Sequence, residues 1–298
     1  MDLEASAFNL YSQYGEDGIL KAVFGAIGIV HHRAVEFGAW DGVHCANTRA
    51  LVDEGWICLL IEPDHRRFTA LENFAKSAGQ VAVEGFVRDR PGQRLHEYLQ
   101  DAGFPIDLDL VSIDIDGDDL LALSTIGDFS PRCLVIEYNG TIPVDYCFSN
   151  SPGGNVGNSV SAILKLTDLM EMSLVAQTPT NLIFVRDEIL SECTLSVIKP
   201  RTQVPVFVGY TGELFIRSLP RKSVDGLGTN FSKLSGNMIH WPWTLGLISQ
   251  PIPRVFRRWP RNQFPLALWL GMKALLLHPT SFRALVVGAR RYRVKSLP

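Results

Sequence analysis

The sequence predicts an α/β protein built around a mostly parallel sheet with helices on both faces. Three observations carry this expectation. Between residues 33 and 186 short apolar runs alternate with helical patterns, the mark of βαβ units. The first run leads into a glycine-spaced turn, Gly38-Ala39-Trp40-Asp41-Gly42, where folds of this class receive a ligand. The last two runs are separated only by Thr178–Asn181, a link that suits a hairpin and therefore one antiparallel strand.

In chain order the predicted strands are Ala34–Phe37, Ile57–Ile61, Val81–Phe86, Leu108–Ile113, Cys133–Ile136, Leu174–Gln177 and Leu182–Val185. Helical patterns fall near residues 46–54, 64–78, 92–102, 118–126 and 158–171. Upstream, Ser12 with Gly15 and Glu16 reads as a helix start, followed by Ile19, Leu20, Val23 and Phe24 at helical spacing. Beyond Arg186 the pattern degrades, with one candidate strand at Val204–Tyr210. Residues 240–265 carry Pro242, Pro251, Pro253, Pro260 and Pro265 among tryptophans, too many prolines to expect regular structure. The expected organisation is a ligand-binding domain over residues 1–190 with an N-terminal helical cover, then a C-terminal extension over 191–298.

Composition narrows the setting. With 298 residues, 46% of them hydrophobic, the chain can bury one large core. The five cysteines show no C-x-x-C pair, which argues for reduced thiols in the cytoplasm. The opening Met-Asp-Leu-Glu has neither the basic nor the apolar region of a secretory signal. No apolar run is long enough to span a bilayer. The net charge of −3 conceals an asymmetry, because no Asp or Glu follows Asp225 while eleven Lys and Arg do. The acidic part is not expected to bind nucleic acid, whereas the basic extension could meet an anionic surface.

The turn after the first strand, Val35-Glu36-Phe37-Gly38-Ala39-Trp40-Asp41-Gly42, lacks the G-x-G-x-x-G spacing that seats a pyrophosphate. An acid at the strand end, Glu36, with two spaced glycines suits a cofactor without phosphate. That points to the sulfonium of S-adenosylmethionine and away from NAD. Glu62 ends the second strand twenty residues beyond Gly42, the interval expected of an acid that accepts both ribose hydroxyls. Asp64 reads as the cap of the following helix.

Four stretches together carry a resemblance: Tyr11-Ser12-Gln13-Tyr14-Gly15-Glu16-Asp17-Gly18-Ile19-Leu20, Glu36–Gly42, Ile61-Glu62-Pro63 and Ser112-Ile113-Asp114-Ile115-Asp116-Gly117. The chain resembles the FkbM-type methyltransferases over roughly residues 8–186. The resemblance implies a Rossmann-like class I methyltransferase fold with a mostly parallel seven-stranded sheet. It also implies O-methylation, often of sugar hydroxyls in glycans or natural products. By it Gln13, Glu16 and Asp17 would close over the cofactor beside Glu36, Gly38, Ala39, Gly42, Glu62 and Asp114. Members commonly carry Asp-x-Glu-Gly where this chain has Asp114-Ile115-Asp116-Gly117, which shortens one carboxylate.

Strand alternation predicts that Asp114 and Asp116 share one side of the fourth strand's end, as Glu137 and Asn139 share one side of the fifth's. Three carboxylates and an amide would then converge at the transferable methyl. A carboxylate there can take a hydroxyl proton as general base, and Asp114, Asp116 and Glu137 together could hold Mg²⁺. Asp118 and Asp119 read as helix-start residues. Among the histidines, His44 follows the glycine turn and is the catalytic candidate, while His31, His32, His65 and His96 are expected to face solvent. The glycine-rich stretch Asn150–Asn158 reads as a mobile loop over the pocket, with Ser159 capping the next helix. Trp241, Trp243, Phe256, Trp259, Phe264 and Trp269 interleave with Arg254, Arg257, Arg258 and Arg261, a mixture suited to peripheral contact with an anionic membrane. A rival reading makes the chain a catalytically inactive methyltransferase-like domain that binds a partner or membrane through this basic tail.

Overall fold

The computed structural model describes residues 3–140, 142, 144 and 146–201, together with the backbone of 205–208, 213–217 and 247–251. In chain order the first unit runs α1 (Glu16–Ile27), β1 (Arg33–Phe37), α2 (Arg49–Asp53), β2 (Ile57–Glu62), α3 (His65–Ala78), β3 (Val81–Glu84) and α4 (Leu95–Asp101). It continues with β4 (Leu110–Ile113), α5 (Asp119–Ser124), β5 (Cys133–Glu137), α6 (Val160–Leu169), β6 (Met172–Gln177), β7 (Asn181–Arg186) and α7 (Asp187–Leu190). A short 3₁₀ turn at Glu4–Ser6 precedes them.

The seven strands form one sheet in the order β3-β2-β1-β4-β5-β7-β6. β1 to β5 pair in parallel, while β7 runs antiparallel to both β5 and β6. This is the Rossmann-like class I methyltransferase arrangement. The predicted hairpin is present: Thr178 and Asn181 close the β6–β7 turn through the Thr178 N–H to Asn181 C=O bond of 2.8 Å.

The central strands are dominated by apolar residues because helices bury both faces. Val35, Phe37, Leu59, Ile61, Val111, Ile113, Leu134 and Ile136 point to one side, where they pack with Leu95 and Leu99 of α4, Leu123 of α5 and Ile163 of α6. Their neighbours Ala34, Cys58, Leu60, Leu110, Cys133 and Val135 point to the other, against Ile19, Leu20 and Val23 of α1, Leu51 of α2 and Leu71 of α3. Each fully buried aliphatic side chain contributes roughly 1.5–3 kcal/mol over exposure. Trp56, 1% exposed, closes the second layer against Phe24 with ring centroids 4.9 Å apart.

Two predicted caps form. Asp64 accepts the N–H groups of Arg66 and Arg67 at the start of α3, and Ser159 accepts that of Ala162 at the start of α6. The histidines expected to face solvent are partnered: His31 with Asp107 at 2.8 Å, His65 with Glu84 at 3.0 Å, His96 with the Thr125 carbonyl at 2.9 Å, and His32 edge-on to Trp56.

Residues 191–201 stay with this unit. Ile198 N–H donates to the Leu174 carbonyl at 2.8 Å, and Gln177 exchanges two bonds with the Arg201 backbone. A second compact unit holds β8 (Pro205–Val208), β9 (Glu213–Arg217) and β10 (Leu247–Pro251), an antiparallel sheet in the order β10-β9-β8. β8 lies within the candidate strand Val204–Tyr210. β10 corrects the expectation that residues 240–265 lack regular structure. Pro205 and Pro251 stand at the ends of edge strands, positions where a missing N–H is tolerated. The remaining tail, including the tryptophans and arginines named above, lies outside the described residues. Among the described residues no helix is long and apolar enough to cross a membrane.

Candidate functional site

The carboxyl ends of β1, β2, β4 and β5 gather nearly every residue the sequence singles out. After Phe37 the chain makes its glycine turn, and the N–H groups of Gly38 and Ala39 donate to the Ile61 carbonyl at 3.1 and 3.2 Å. Gly38 has φ +72°, and a Cβ built there would stand 1.8 Å from the Asp114 carbonyl oxygen. Only glycine lets β1 and β4 approach so closely at their ends. At Gly42 a Cβ would meet the Phe74 ring of α3 at 2.4 Å. Trp40 is left-handed at φ +50°, an uncommon conformation for a bulky residue. Its N–H donates to Glu62 Oε2 at 3.0 Å, and the Arg67 guanidinium lies 4.6 Å from its ring centroid. Glu62 is 2% exposed and also accepts the Asp64 N–H through Oε1 at 2.9 Å.

Glu36 takes a different place from the one its position suggests. It is 2% exposed and accepts the N–H groups of Asn47 and Thr48 at 2.7 and 3.2 Å, and the Thr48 hydroxyl as well. Asn47 in turn donates to Ser112 Oγ at 3.1 Å. The carboxylate is therefore spent on shaping the chain before α2 rather than presented to a ligand. Burial raises its pKa, against the opposing pull of these donors. His44 sits in a tight turn in which Asp41 Oδ1 accepts the N–H groups of Val43 and His44 at 3.0 and 2.8 Å. Its imidazole Nδ1 pairs with the other Asp41 oxygen.

A segment without helix or extended strand, residues 7–15, leads into α1. Asp17 shapes it from within, because Oδ2 accepts the N–H groups of Leu10, Tyr11 and Ser12 at 2.7–2.8 Å and the Ser12 hydroxyl at 2.8 Å. Its Oδ1 is buried without a partner. Glu16 is fully buried, accepts the Tyr14 N–H at 2.7 Å, and takes a bond of 3.1 Å from Asn181 Nδ2. Asn181 opens β7 directly opposite Glu137, so this bond ties the cover to the end of the sheet. Gln13 is half-buried, and its carbonyl accepts from Asn9 Nδ2 at 2.8 Å.

Asp114, Asp116 and Glu137 each bring a carboxylate oxygen to within 4.8 Å of the others. Strand alternation does not place Asp116, since β4 ends at Ile113. Convergence is produced by a left-handed turn at Asp116, φ +57°, followed by Gly117 at φ +147°. Asn139 does not join the carboxylates. Its Nδ2 donates to the Val156 carbonyl at 2.6 Å, and its N–H to that of Asn158 at 2.8 Å. Burial pushes the pKa of Asp114 and Glu137 well above the carboxylate range, and the crowding of Asp116 and Asp119 adds to it. Asp119 rises to about 7, again through burial.

Hydrogen bonds tie the glycine-rich loop to the turn after β4. Asp118 provides no side-chain cap to α5; its oxygens accept the Gly153 N–H at 3.0 and 2.9 Å and Asn150 Nδ2 at 3.1 Å. Asn158 Nδ2 donates to the Gly117 carbonyl at 2.9 Å and its Oδ1 accepts the Asn150 N–H at 2.9 Å. The loop thus lies beside the turn that carries Asp116, bonded to it through Gly117 and Asp118. Nothing in the local sequence marks Asn181 or Asp118 for these tasks, because their partners lie on other elements.

No family model and no curated protein matches the chain. Among solved structures, similarity of shape is found to a TehB-like S-adenosylmethionine-dependent methyltransferase of Corynebacterium glutamicum, 14% identical over 62% of this chain and 92% of that one, with a TM-score of 0.38. A S-adenosylmethionine-dependent methyltransferase of Clostridium acetobutylicum is 9% identical over 57% of this chain and 90% of that one, TM-score 0.39. The magnesium protoporphyrin IX methyltransferase of Synechocystis, solved with S-adenosylhomocysteine bound, is 11% identical over 56% and 78%, TM-score 0.38.

Proposed function

We propose that the chain is an S-adenosylmethionine-dependent O-methyltransferase of the FkbM type, acting on a hydroxyl of a sugar, glycan or natural product. The observation that carries this reading is the placement of the acids: Asp114, Asp116 and Glu137 bring carboxylate oxygens within 4.8 Å of one another, next to the glycine turn whose Gly38 packs against the Asp114 carbonyl. Such a set of oxygens offers acceptors to a cationic group and no donor to a phosphate. S-adenosylmethionine carries a sulfonium and an ammonium, so the donor set fits it.

In this reading Gly38, Ala39 and Gly42 let the backbone come close to the cofactor. Glu62 retains lone pairs for ribose hydroxyls beyond its two backbone bonds. Gln13, Glu16 and Asp17 cover it, and Glu36 acts indirectly by holding Asn47 and Thr48. When bound, the cofactor supplies an electrophilic methyl group. Asp114 or Glu137, once ionised, accepts the proton of the attacking hydroxyl, and in that form a carboxylate of raised pKa is a stronger base than an ordinary one. His44, held by Asp41, is the second candidate for that proton. Asp114, Asp116 and Glu137 offer the oxygen ligands Mg²⁺ requires, and the ion would lower the pKa of the acceptor hydroxyl. Alignment of acceptor and methyl group dominates the rate of such a displacement.

The test is transfer of labelled methyl groups from S-adenosylmethionine to a panel of methyl glycosides, with Mg²⁺ or with EDTA. Whichever of Glu137→Gln and Asp114→Asn removes the base should lower kcat by at least about 100-fold, the usual contribution of a general base. Transfer that survives both substitutions would remove the carboxylates from the mechanism.

A further inference from the structure

The segment 7–15 that leads into α1 is shaped from within by Asp17, and Glu16 at its end is bonded to Asn181 of β7. The Phe8 carbonyl of the segment accepts the Gly18 N–H of α1 at 3.1 Å. A further attachment is Arg49, the first residue of α2. Its guanidinium lies between two rings, 4.6 Å from the Tyr11 centroid and 5.1 Å from that of Phe74. It also pairs with Asp53, which accepts the Tyr11 hydroxyl at 2.8 Å. Phe74 is the ring against which Gly42 packs without room for a Cβ. Arg49 therefore joins the cover to α3, at the ring on which the glycine turn packs. Its side chain is only 17% exposed, and Asn47 and Thr48 just before it are fixed by Glu36.

We propose that Arg49 is a positioning residue that clasps Tyr11 and so holds residues 7–15 as a gate over the cofactor. This rests on the cofactor reading above. A planar guanidinium can stack on two rings and pair with a carboxylate at once, whereas an ammonium cannot. With the clasp intact, ligand exchange waits on release of Tyr11. Without it the cover keeps its Asp17-bonded shape and its Asn181 anchor, but one side is free to lift. A loosened gate speeds entry and exit together, whereas a damaged site speeds exit alone.

The experiment is stopped-flow binding of S-adenosylhomocysteine, followed by tryptophan fluorescence, on the full chain and on Arg49→Met, Arg49→Lys and Tyr11→Phe. Arg49→Met should raise both the association and the dissociation rate constants about tenfold, leaving Kd little changed, as loss of a contact of this kind implies. Arg49→Lys should restore part of the slow exchange. Tyr11→Phe, which removes only the bond to Asp53, should move both rates the same way by less. A rise in the dissociation rate alone, or no change in either rate, overturns the gate while leaving the cofactor reading standing. Absence of equilibrium binding by the unmodified chain would overturn the cofactor reading and this inference with it.

Discussion

The buried carboxylate of Asp119 accepts the N–H groups of Ile115 and Gly117, at 2.8 and 3.0 Å, and these are the two neighbours of Asp116. By holding the residues on either side, Asp119 keeps Asp116 in the left-handed region and swings its carboxylate toward Asp114 and Glu137. The next carboxylate, Asp118, holds the loop opposite. Two consecutive acids at the start of α5 thus build the turn and tie the loop to it.

Replacing Asp119 separates these roles from the cost of its charge. Asp119→Ala leaves two buried N–H groups without an acceptor, each costing roughly 1–3 kcal/mol, whereas Asp119→Asn keeps one acceptor and removes a like charge. The alanine variant should be less stable than the asparagine variant by about 2 kcal/mol in urea denaturation. Equal stabilities would show that the turn does not depend on these bonds.

The crowded acids should make stability fall as pH rises. An acid whose pKa is raised on folding holds its proton more tightly when folded, so its contribution is complete below the ordinary carboxylate range and is lost as pH climbs through the raised value. For Asp119, with its pKa pushed to about 7 by burial, that window runs from about 4 to about 7. Asp114 and Glu137 shift the same way. Glu137→Gln should therefore raise the melting temperature at pH 8 and have little effect at pH 4. A variant no more stable than the parent at pH 8 would show that the carboxylates do not repel one another as described.

Gly38 and Gly55 both have positive φ, yet substitution should affect them very differently. A Cβ at Gly55 meets nothing within 4 Å, while at Gly38 it meets the Asp114 carbonyl. Gly55→Ala should cost about 1–2 kcal/mol, the left-handed penalty alone. Gly38→Ala adds a collision with backbone and should exceed about 4 kcal/mol or prevent folding. Thermal denaturation of the pair decides it, and similar losses at both positions would contradict the close approach of β1 and β4.

Asp118→Ala should release the glycine-rich loop without unfolding the domain. Amide hydrogen exchange at Gly153 and Gly154 should accelerate, while global stability changes by less than about 1.5 kcal/mol, the worth of a partly exposed hydrogen-bond set. Unchanged protection would mean that Asn150 and Asn158 hold the loop unaided.

The inner strands were legible because each is buried on both faces and reads as an apolar run, and Asp64 and Ser159 were legible as caps because capping is local. The glycine turn and Glu62 followed from spacing along two neighbouring strands. What escaped depends on contacts made across the sequence. Glu36 stands at a strand end like a ligand-binding acid, but its partners Asn47 and Thr48 follow eleven and twelve residues later. Asp116 reaches the other carboxylates through a turn no periodicity describes. Asn181 meets Glu16 across a separation of 165 residues, which only the completed sheet brings about.

The central claim is that the acidic end of the sheet holds S-adenosylmethionine. Calorimetric titration of the full chain with S-adenosylhomocysteine tests it most directly, repeated on Glu62→Gln, which keeps the size of the side chain and one acceptor for its backbone donors. One site of micromolar affinity is expected, a free energy of about −8 kcal/mol, weakened at least tenfold in the variant with the circular dichroism spectrum unchanged. No heat of binding from the unmodified chain would contradict it.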